Sequence, residues 1–247
     1  RIPLVLTEAD RHLGLANRLL ARGARRVCLA FPIPGLDGER YTVTGRAVGR
    51  AVLDADRDAA RRRFGCDPGA KVLLVMGGSL GARALNDTVP AAIGQLQAGN
   101  PPDVYHQTGR DDCERVAAAY ADAGIDARVE AFIDDMAEAY AWADLVICRA
   151  GALTVAELSV VGVAAILVPF PHATDDHQTG NARFLADAGA AVLLPQSELD
   201  AAGLAHMLTD FLAQRDMLLE MACRARELAM PDAARRVAEL CLQAARP

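Results

Sequence analysis

Four consecutive polar side chains, Asp175-Asp176-His177-Gln178, stand between an apolar run at residues 164–168 and a helical pattern at residues 183–188. The apolar run predicts a buried strand, so the polar groups would lie at its carboxyl end, where open α/β sheets bind ligands. His177 and Gln178 could donate hydrogen bonds to sugar hydroxyls. A single histidine is more often structural, but three polar neighbours at a strand end favour ligand contact.

Two glycine-containing turns repeat the order of strand, turn and helix. In Gly77-Gly-Ser-Leu-Gly81 the glycines let the backbone approach a ligand, although the motif is equally typical of a tight turn. It lacks the lysine of a P-loop, which disfavours an ATPase. In Arg149-Ala-Gly-Ala-Leu-Thr-Val-Ala-Glu157 a helix N-terminus could hold a diphosphate without a metal. Glu157 could accept hydrogen bonds from a ribose diol, and its placement near the helix start is also explained by the helix dipole.

Two further motifs allow more than one interpretation. Phe132-Ile-Asp-Asp-Met136 follows a predicted strand, so the backbone of Ile133 could contact a flat base, while Asp134 could simply cap a helix. Asp54-Ala-Asp56 is similar to a metal-binding D-x-D motif, but capping of the next helix is favoured. No residue set has the ligand spacing of a zinc or iron site, so neither a metal nor a cofactor is predicted.

The composition indicates a globular protein with a substantial core. The chain has 247 residues, 52% of them hydrophobic, and a net charge of −6. The acidic balance without a long Lys/Arg run argues against a nucleic-acid partner. Six cysteines without metal-ligand spacing are typical of reduced thiols in a cytosolic protein. The longest apolar run falls far short of the roughly 20 residues of a membrane span.

Short apolar segments alternate with helical patterns along most of the chain. Strands are predicted at residues 3–6, 27–30, 41–44, 72–76, 104–107, 128–131, 145–148, 164–168 and 190–194, with helices at 13–21, 82–96, 112–123, 135–141, 154–161 and 181–188. This alternation predicts a Rossmann-like α/β fold, with a parallel sheet and helices on both faces. Three amphipathic helices without an intervening strand are predicted at 199–212, 215–228 and 232–244.

Taken together, segments 77–86, 130–144, 148–157 and 176–182 closely resemble the MurG family of glycosyltransferases, which have the GT-B fold and belong to glycosyltransferase family 28. These bacterial enzymes transfer N-acetylglucosamine from UDP-N-acetylglucosamine to lipid I, which gives lipid II in peptidoglycan synthesis. The resemblance implies a metal-independent, inverting transferase on the inner face of the plasma membrane. Its C-terminal domain would bind the donor, and its N-terminal domain the lipid I acceptor.

The resemblance also implies roles for individual residues. Ser79 and the turn formed by Gly151, Ala152, Leu153 and Thr154 would contact the donor diphosphate, with the helix dipole and backbone amides stabilising the departing UDP. Ile133 would contact uracil, Glu157 the ribose, and His177 with Gln178 the sugar. Asn86, at the end of the first motif, is also expected to bind substrate.

Two motifs depart from the family pattern. His-Glu-Gln-Asn is replaced by Thr7-Glu8-Ala9-Asp10, so only Glu8 carries over as a candidate catalytic residue. Gly-Asn-Pro-Val-Arg is replaced by Gly45-Arg-Ala-Val-Gly49, which loses an arginine expected to contact donor phosphate, and Arg46 or Arg50 could substitute for it. Most of the glycine-rich N-terminal domain is missing, so the chain is expected to bind donor and to catalyse little.

Three segments are predicted from this resemblance. Residues 1–45 would be the remnant of the acceptor domain with its linker, residues 46–231 the UDP-sugar-binding domain, and residues 232–247 a helix that packs back towards the N-terminal domain. Two other interpretations stay open: a donor-binding subunit of a split UDP-N-acetylglucosamine transferase, and a GT-B transferase with a different acceptor.

Overall fold

A computed structural model describes residues 2–64, 70–78, 80–96 and 101–246. Within them, the chain forms two separate parallel sheets. The first sheet has the order β1-β2-β3, with β1 at Val5–Glu8, β2 at Arg26–Leu29 and β3 at Tyr41–Val43. Val27 pairs with Leu6 on one side and with Tyr41 on the other. Helix α1 (Leu15–Leu20) connects β1 to β2.

The second sheet has six parallel strands in the order β6-β5-β4-β7-β8-β9. Their bounds are β4 Val72–Met76, β5 Asp103–Gln107, β6 Ala127–Glu130, β7 Leu145–Cys148, β8 Ala164–Leu167 and β9 Ala191–Leu193. The chain runs outward from β4 through β5 to β6 and then returns to the other side of β4 with β7. The strand order therefore reverses between β4 and β7, and a reversal of this kind opens a crevice at the carboxyl ends of the strands.

Helices cover both faces of the second sheet. They are α2 Arg50–Leu53, α3 Arg57–Arg63, α4 Arg83–Ile93, α5 Cys113–Asp122, α6 Met136–Trp142, α7 Ala152–Val161, α8 His177–Ala186, α9 Ala201–Ala213 and α10 Arg215–Glu227. The last helix, α11 (Ala233–Ala245), packs against the first sheet. Side chains alternate between the faces: Leu74 and Val146 pack towards α6 and α7, while Leu73 and Ile147 pack towards α4 and α9. The predicted parallel α/β fold is confirmed.

The structure differs from the prediction most in the segment after β3. The helices predicted above include none between residues 21 and 82, yet the short helices α2 and α3 lie there. Asp56 caps α3, because its carboxylate accepts a hydrogen bond from the Ala59 N–H at 3.0 Å, and Asp54 pairs with Arg50 at 2.7 Å. The capping interpretation of this Asp-Ala-Asp motif is confirmed.

The two sheets are joined by α11 and by the loop after β1. Helix α11 packs against β1 and β2, and Arg25 donates to the carbonyls of Ala244 and Arg246 at 2.8 and 2.9 Å. The predicted domain limits at residues 45 and 231 stay a prediction. Among the described helices, none has the length and apolarity to cross a bilayer.

Candidate functional site

The loops after β4 and β5 meet backbone to backbone. Gly78, Gly81 and Gly109 have φ values of 81°, 75° and 81°. A Cβ atom on Gly109 would lie only 2.7 Å from the Gly81 nitrogen, so a side chain cannot fit there. These glycines therefore fix the shape of the loop at the carboxyl end of β4. Ser79, predicted to contact the diphosphate, lies outside the described residues.

The turn after β7 presents an uncapped helix N-terminus. Gly151 is the residue before α7, has extended backbone geometry and makes no side-chain cap. The N–H groups of Ala152, Leu153 and Thr154 precede that of Val155, which is the first to donate within the helix, so they are available to an anion. Together they carry the partial positive charge of the helix dipole. The turn thus has the donors that the predicted diphosphate contact needs, and the contact itself stays a prediction.

Glu157 lies one turn into α7 and is held by a tyrosine. Its Oε2 atom accepts a hydrogen bond of 3.0 Å from the hydroxyl of Tyr140, which is 1% exposed. Burial raises the pKa of Glu157, whereas the Tyr140 hydroxyl and the charge of Arg46 act in the opposite direction. Oε1 has no hydrogen-bond partner among the described residues, so the carboxylate can accept from a ligand. Sequence reasoning did not single out Tyr140, because an apolar helical pattern also explains it.

Gln178 braces two loops of the crevice. Its Oε1 atom accepts hydrogen bonds from the N–H of Ala150 at 3.3 Å and of Phe170 at 3.0 Å, which lie after β7 and β8. No described residue accepts from its Nε2, which remains available to donate to a sugar. Gln178 therefore joins the two loops and can contact a ligand from the same amide.

His177 begins α8, and its ring has a defined tautomer. Nδ1 lies 2.7 Å from the carbonyl oxygen of Thr174. A carbonyl can only accept, so Nδ1 carries the proton, and Nε2 of the neutral ring is an acceptor. At Nε2 a neutral ring would accept from a sugar hydroxyl and a protonated ring would donate to it, so the sugar contact of His177 stays a prediction.

The loop before α8 has unusual backbone geometry. Asp175 and Asp176 have φ values of 53° and 50°, in the left-handed region that non-glycine residues rarely adopt. Asp175 lies 3.3 Å from Nε2 of His12, in the loop after β1. Strain of this kind is common where a loop is shaped for a ligand.

Arg149 has a structural role that the sequence did not reveal. Its guanidinium donates to the carbonyls of Val168 and Pro169 at 3.1 and 3.2 Å and to Gln196 at 2.7 Å. Burial lowers its pKa. The side chain is thereby committed to holding the loop after β8.

Asn86 is placed away from any open surface. It is 1% exposed, its Nδ2 donates to the Thr108 carbonyl at 2.9 Å and to Asp112 at 2.8 Å, and its Oδ1 lies 3.1 Å from Nε2 of His106. Both ends of the amide are therefore engaged inside the protein. The predicted substrate contact would require this network to open, and the geometry gives Asn86 a structural role instead.

The carboxylate of Glu8 is also fully engaged in hydrogen bonds within the protein. Oε1 accepts from the N–H groups of Ala9 and Asp10 at 2.9 and 3.2 Å, and Oε2 accepts from the Gly14 N–H and the Asn17 side chain at 2.9 and 3.0 Å. Four donors hold the carboxylate in the loop after β1. The geometry gives no support to Glu8 as a catalytic base, because its lone pairs already fix the shape of that loop.

Ile133 follows β6 and is 2% exposed. A cavity of about 320 Å³ lies beside it, near Tyr105 and Arg128. The Tyr105 hydroxyl donates to Glu130 at 2.6 Å, and the Arg128 guanidinium lies 4.3 Å from the centre of the Tyr105 ring. The side chains of Tyr105, Glu130 and Arg128 therefore interact with one another. Contact between the Ile133 backbone and a base stays a prediction.

No metal centre is formed by the described part of the chain: it contains no group of three or more His, Cys, Asp or Glu side chains that could hold an ion. The crevice described above therefore offers a helix N-terminus, a carboxylate and an amide to a ligand.

Comparison with known proteins places this geometry in a family. Residues 72–237 match the model of the glycosyltransferase family 28 C-terminal domain. The chain is 49% identical over 245 residues to the UDP-N-acetylglucosamine–N-acetylmuramyl-(pentapeptide) pyrophosphoryl-undecaprenol N-acetylglucosamine transferase of Stutzerimonas stutzeri, covering 99% of this chain and 67% of the relative. Identity to the transferase of the same name from Aeromonas hydrophila is 52% over 240 residues, covering 97% of this chain and 65% of the relative.

Solved structures agree with the sequence relatives. The chain superposes on the crystal structure of Acinetobacter baumannii MurG with a TM-score of 0.82 and 41% identity, covering 98% of this chain and 67% of that one. The lipopolysaccharide glycosyltransferase WaaG matches with a TM-score of 0.62 at 17% identity, over 97% of this chain and 75% of that one, and so shows a shared fold alone. The chain spans about two thirds of the length of its curated relatives. It belongs to glycosyltransferase family 28, and residues 72–237 are its C-terminal domain.

Proposed function

We propose that the chain binds UDP-N-acetylglucosamine in the crevice at the carboxyl ends of β4, β7 and β8. One observation carries this proposal: Gln178 holds the turn that contains the uncapped N-terminus of α7. Glu157, fixed by Tyr140, projects from the same helix one turn later. An anion site, a diol acceptor and an amide donor thus lie together at the point where the strand order reverses.

Each group of the crevice has a distinct chemical task. The N–H groups of Ala152, Leu153 and Thr154 bind the diphosphate and stabilise the negative charge that UDP gains as it departs. The Glu157 carboxylate accepts from the ribose hydroxyls. Gln178 Nε2 donates to the sugar, and His177 Nε2 accepts from it. The dipole of α7 supplies the positive charge that a metal ion provides in other transferases.

The names of the relatives support a larger role for the whole protein. Those names give a transfer of N-acetylglucosamine to N-acetylmuramyl-(pentapeptide) pyrophosphoryl-undecaprenol. We propose that the whole protein carries out this transfer with inversion, forming lipid II from lipid I in peptidoglycan synthesis and so serving cell wall biogenesis, cell division and cell shape. The acceptor would be bound by an N-terminal domain at the inner face of the plasma membrane, with peripheral membrane association. The names of these relatives favour neither a split transferase nor a different acceptor.

Calorimetric titration tests the donor site directly. The chain is titrated with UDP-N-acetylglucosamine and UDP, with ADP-ribose as the control ligand. Glu157→Ala should weaken binding of both uridine ligands at least ~10-fold, because it removes hydrogen bonds to a charged acceptor. Glu227→Ala, an exposed acid on α10, is the matched control and should bind as the wild type does.

The pH dependence of ligand binding provides a second test of the Glu157 contact. Since burial raises the pKa of Glu157, wild-type binding should start to weaken at a higher pH than protonation of an exposed glutamate would cause. Unchanged UDP affinity in a folded Glu157→Ala variant, or equal affinity for ADP-ribose, would refute the donor site.

A further inference from the structure

Tyr140 is a buried tyrosine whose hydroxyl is not explained by packing. It lies on α6, and its ring is part of the hydrophobic core on one face of the second sheet. A phenylalanine ring would fill almost the same space. The Tyr140 hydroxyl donates to Oε2 of Glu157 at 3.0 Å, at the edge of the proposed donor crevice. Because the tyrosine is buried, water cannot easily take over this hydrogen bond if the hydroxyl is removed.

The structure describes a second buried tyrosine that donates to a glutamate, and in that pair the glutamate is fully engaged. Tyr105 donates to Oε2 of Glu130 at 2.6 Å, and the Arg128 guanidinium donates to Oε1 of the same carboxylate at 2.7 Å. In the pair of Tyr140 and Glu157, only Oε2 has a donor, and no described residue donates to Oε1. The hydrogen bonds of the Glu157 carboxylate are therefore half completed within the described structure, which leaves one oxygen for a donor from a ligand.

Three groups from other elements act on Glu157. Arg46, after β3, acts on the carboxylate through its charge. Cys148 ends β7, and burial, with a smaller effect of the Glu157 charge, raises the pKa of its thiol to about 12, so the thiol stays neutral. Burial raises the pKa of Tyr140 well above its ordinary value, so its hydroxyl stays a donor. Of the three, Tyr140 makes the hydrogen bond that orients the carboxylate.

We propose that Tyr140 is a positioning residue that makes the donor site selective for a ribose with both hydroxyls. The terminal torsion of a glutamate is broad, so a free carboxylate rotates easily. With Oε2 held by the Tyr140 hydroxyl, the carboxylate presents Oε1 to the diol before the ligand arrives. Preorganisation of this kind raises affinity, because less freedom is lost on binding. The inference rests on the proposed function, since Tyr140 acts through the contact between Glu157 and the ribose.

Calorimetric titration with two ligands tests this role. UDP carries both ribose hydroxyls, and 2′,3′-dideoxyuridine diphosphate carries neither. Tyr140→Phe should weaken UDP binding about 10-fold and leave binding of the dideoxy ligand within about 2-fold of the wild type, because only UDP uses the oriented carboxylate. The retained binding of the dideoxy ligand also shows that the variant is folded.

Tyr120→Phe is the matched control. Tyr120 is also buried in the second sheet's core, and its hydroxyl lies 3.0 Å from Nδ1 of His106 instead of a crevice residue. This variant loses a buried tyrosine hydroxyl of the same kind, and it should bind both ligands as the wild type does.

The pH dependence of UDP binding is a second readout, which a loss of packing alone would not move. Burial raises the pKa of Glu157, and the hydrogen bond from Tyr140 acts against that effect. Removal of the hydroxyl should therefore raise this pKa further. On acidification, UDP binding should begin to weaken at a higher pH in Tyr140→Phe than in the wild type, whereas Tyr120→Phe should keep the wild-type profile.

Two results would overturn the positioning role. Equal weakening of UDP and of the dideoxy ligand by Tyr140→Phe would mean that the hydroxyl supports the crevice in general and not the ribose contact. Unchanged UDP affinity with an unchanged pH profile would leave the hydroxyl without a role in binding. Glu157→Ala tests the donor site separately: if it loses UDP while Tyr140→Phe does not, the proposed function stands and the positioning role falls.

Discussion

The two sheets differ in how completely they are covered. In the second sheet, helices pack on both faces, and every residue of β4, β7 and β8 is buried. Around the first sheet, apolar side chains are exposed: Ile2 at 96%, Leu15 at 61% and Leu19 at 62%. The second sheet therefore has a core on each of its two faces, whereas the first sheet has one smaller core, which includes Leu13, Val27 and Leu29, and leaves other apolar side chains exposed. The junction with the second sheet, through Asn181, therefore adds to the hydrogen bonds of Glu8 in keeping the loop after β1 in place.

Two buried asparagines show the same contrast at the level of single side chains. Asn86 joins elements that all belong to the second sheet. Asn181 joins the sheets: its Oδ1 accepts from the Arg11 N–H at 2.8 Å, and its Nδ2 donates to Asp10 at 2.9 Å and to the Ala150 carbonyl at 3.3 Å. Asn181 is fully buried, so water cannot take over its hydrogen bonds to these partners if the side chain is removed.

Replacing each asparagine should give the largest and most informative effect. Asn181→Ala and Asn86→Ala should each lower the free energy of unfolding by about 2–4 kcal/mol, because buried polar partners lose their bonds. The location of the damage should differ. Hydrogen exchange in Asn181→Ala should accelerate in β1 and β2, and in Asn86→Ala it should accelerate in α4 and β5. Faster exchange of the same strands in both variants would contradict the contrast between the sheets.

Lowering the pH should have an intermediate effect on the free energy of unfolding, and this effect should originate in the second sheet. Burial lowers the pKa of His106 to about 3. Between that value and the ordinary pKa of about 6.5, the unfolded chain binds a proton that the folded chain does not, so stability falls as pH falls. From pH 7 to pH 5 this group should remove about 2 kcal/mol from the free energy of unfolding.

Urea unfolding of His106→Gln at both pH values checks this expectation. The variant is less stable overall, so the readout is the change with pH, which should shrink by that amount. His206→Gln, an exposed histidine on α9, should keep the wild-type change. If His106→Gln retains the full acid sensitivity, the acid-sensitive element lies elsewhere.

The smallest effect should come from the ion pair that accompanies Asn181. Arg11 lies 3.3 Å from Asp187, whose side chain is 63% exposed, so solvent screens the pair. A double-mutant cycle with Arg11→Ala and Asp187→Ala should give a coupling of roughly 0.2–1 kcal/mol. A coupling well above that range would mean that surface charge, rather than the buried asparagine, joins the two sheets.

The sequence predicted the second sheet well and its polar interior poorly. Apolar runs followed by small-residue turns located β4, β7 and β8, and their loops contain Glu157 and Gln178. Spacing along the chain predicts the element on which a side chain lies, but not which residues distant in sequence it contacts. Asn86 is engaged by residues 20 to 26 positions away, and Arg149 by Gln196, so neither role was visible in a motif.

The case of Glu8 is different, because its partners are near in sequence. All four donors lie within nine residues, and a carboxylate that closes a short turn is a local pattern. The family motif drew attention to a catalytic role, although the following Gly14 and Asn17 already allowed a structural one. Arg46 was noticed only as a substitute for a missing arginine, since the effect of its charge on Glu157, which is distant in sequence, can be recognised only in three dimensions.

The left-handed pair Asp175 and Asp176 has a thermodynamic consequence. A loop that reaches this geometry only on binding would lose conformational entropy at that moment, and the affinity would fall accordingly. Here contacts within the protein support the geometry, with Asp176 accepting from the Thr179 hydroxyl at 2.7 Å. The entropy cost of ordering the loop is therefore met when the protein folds. A sugar would bind to a preorganised surface, and its affinity would depend on the contacts it makes and not on ordering the loop.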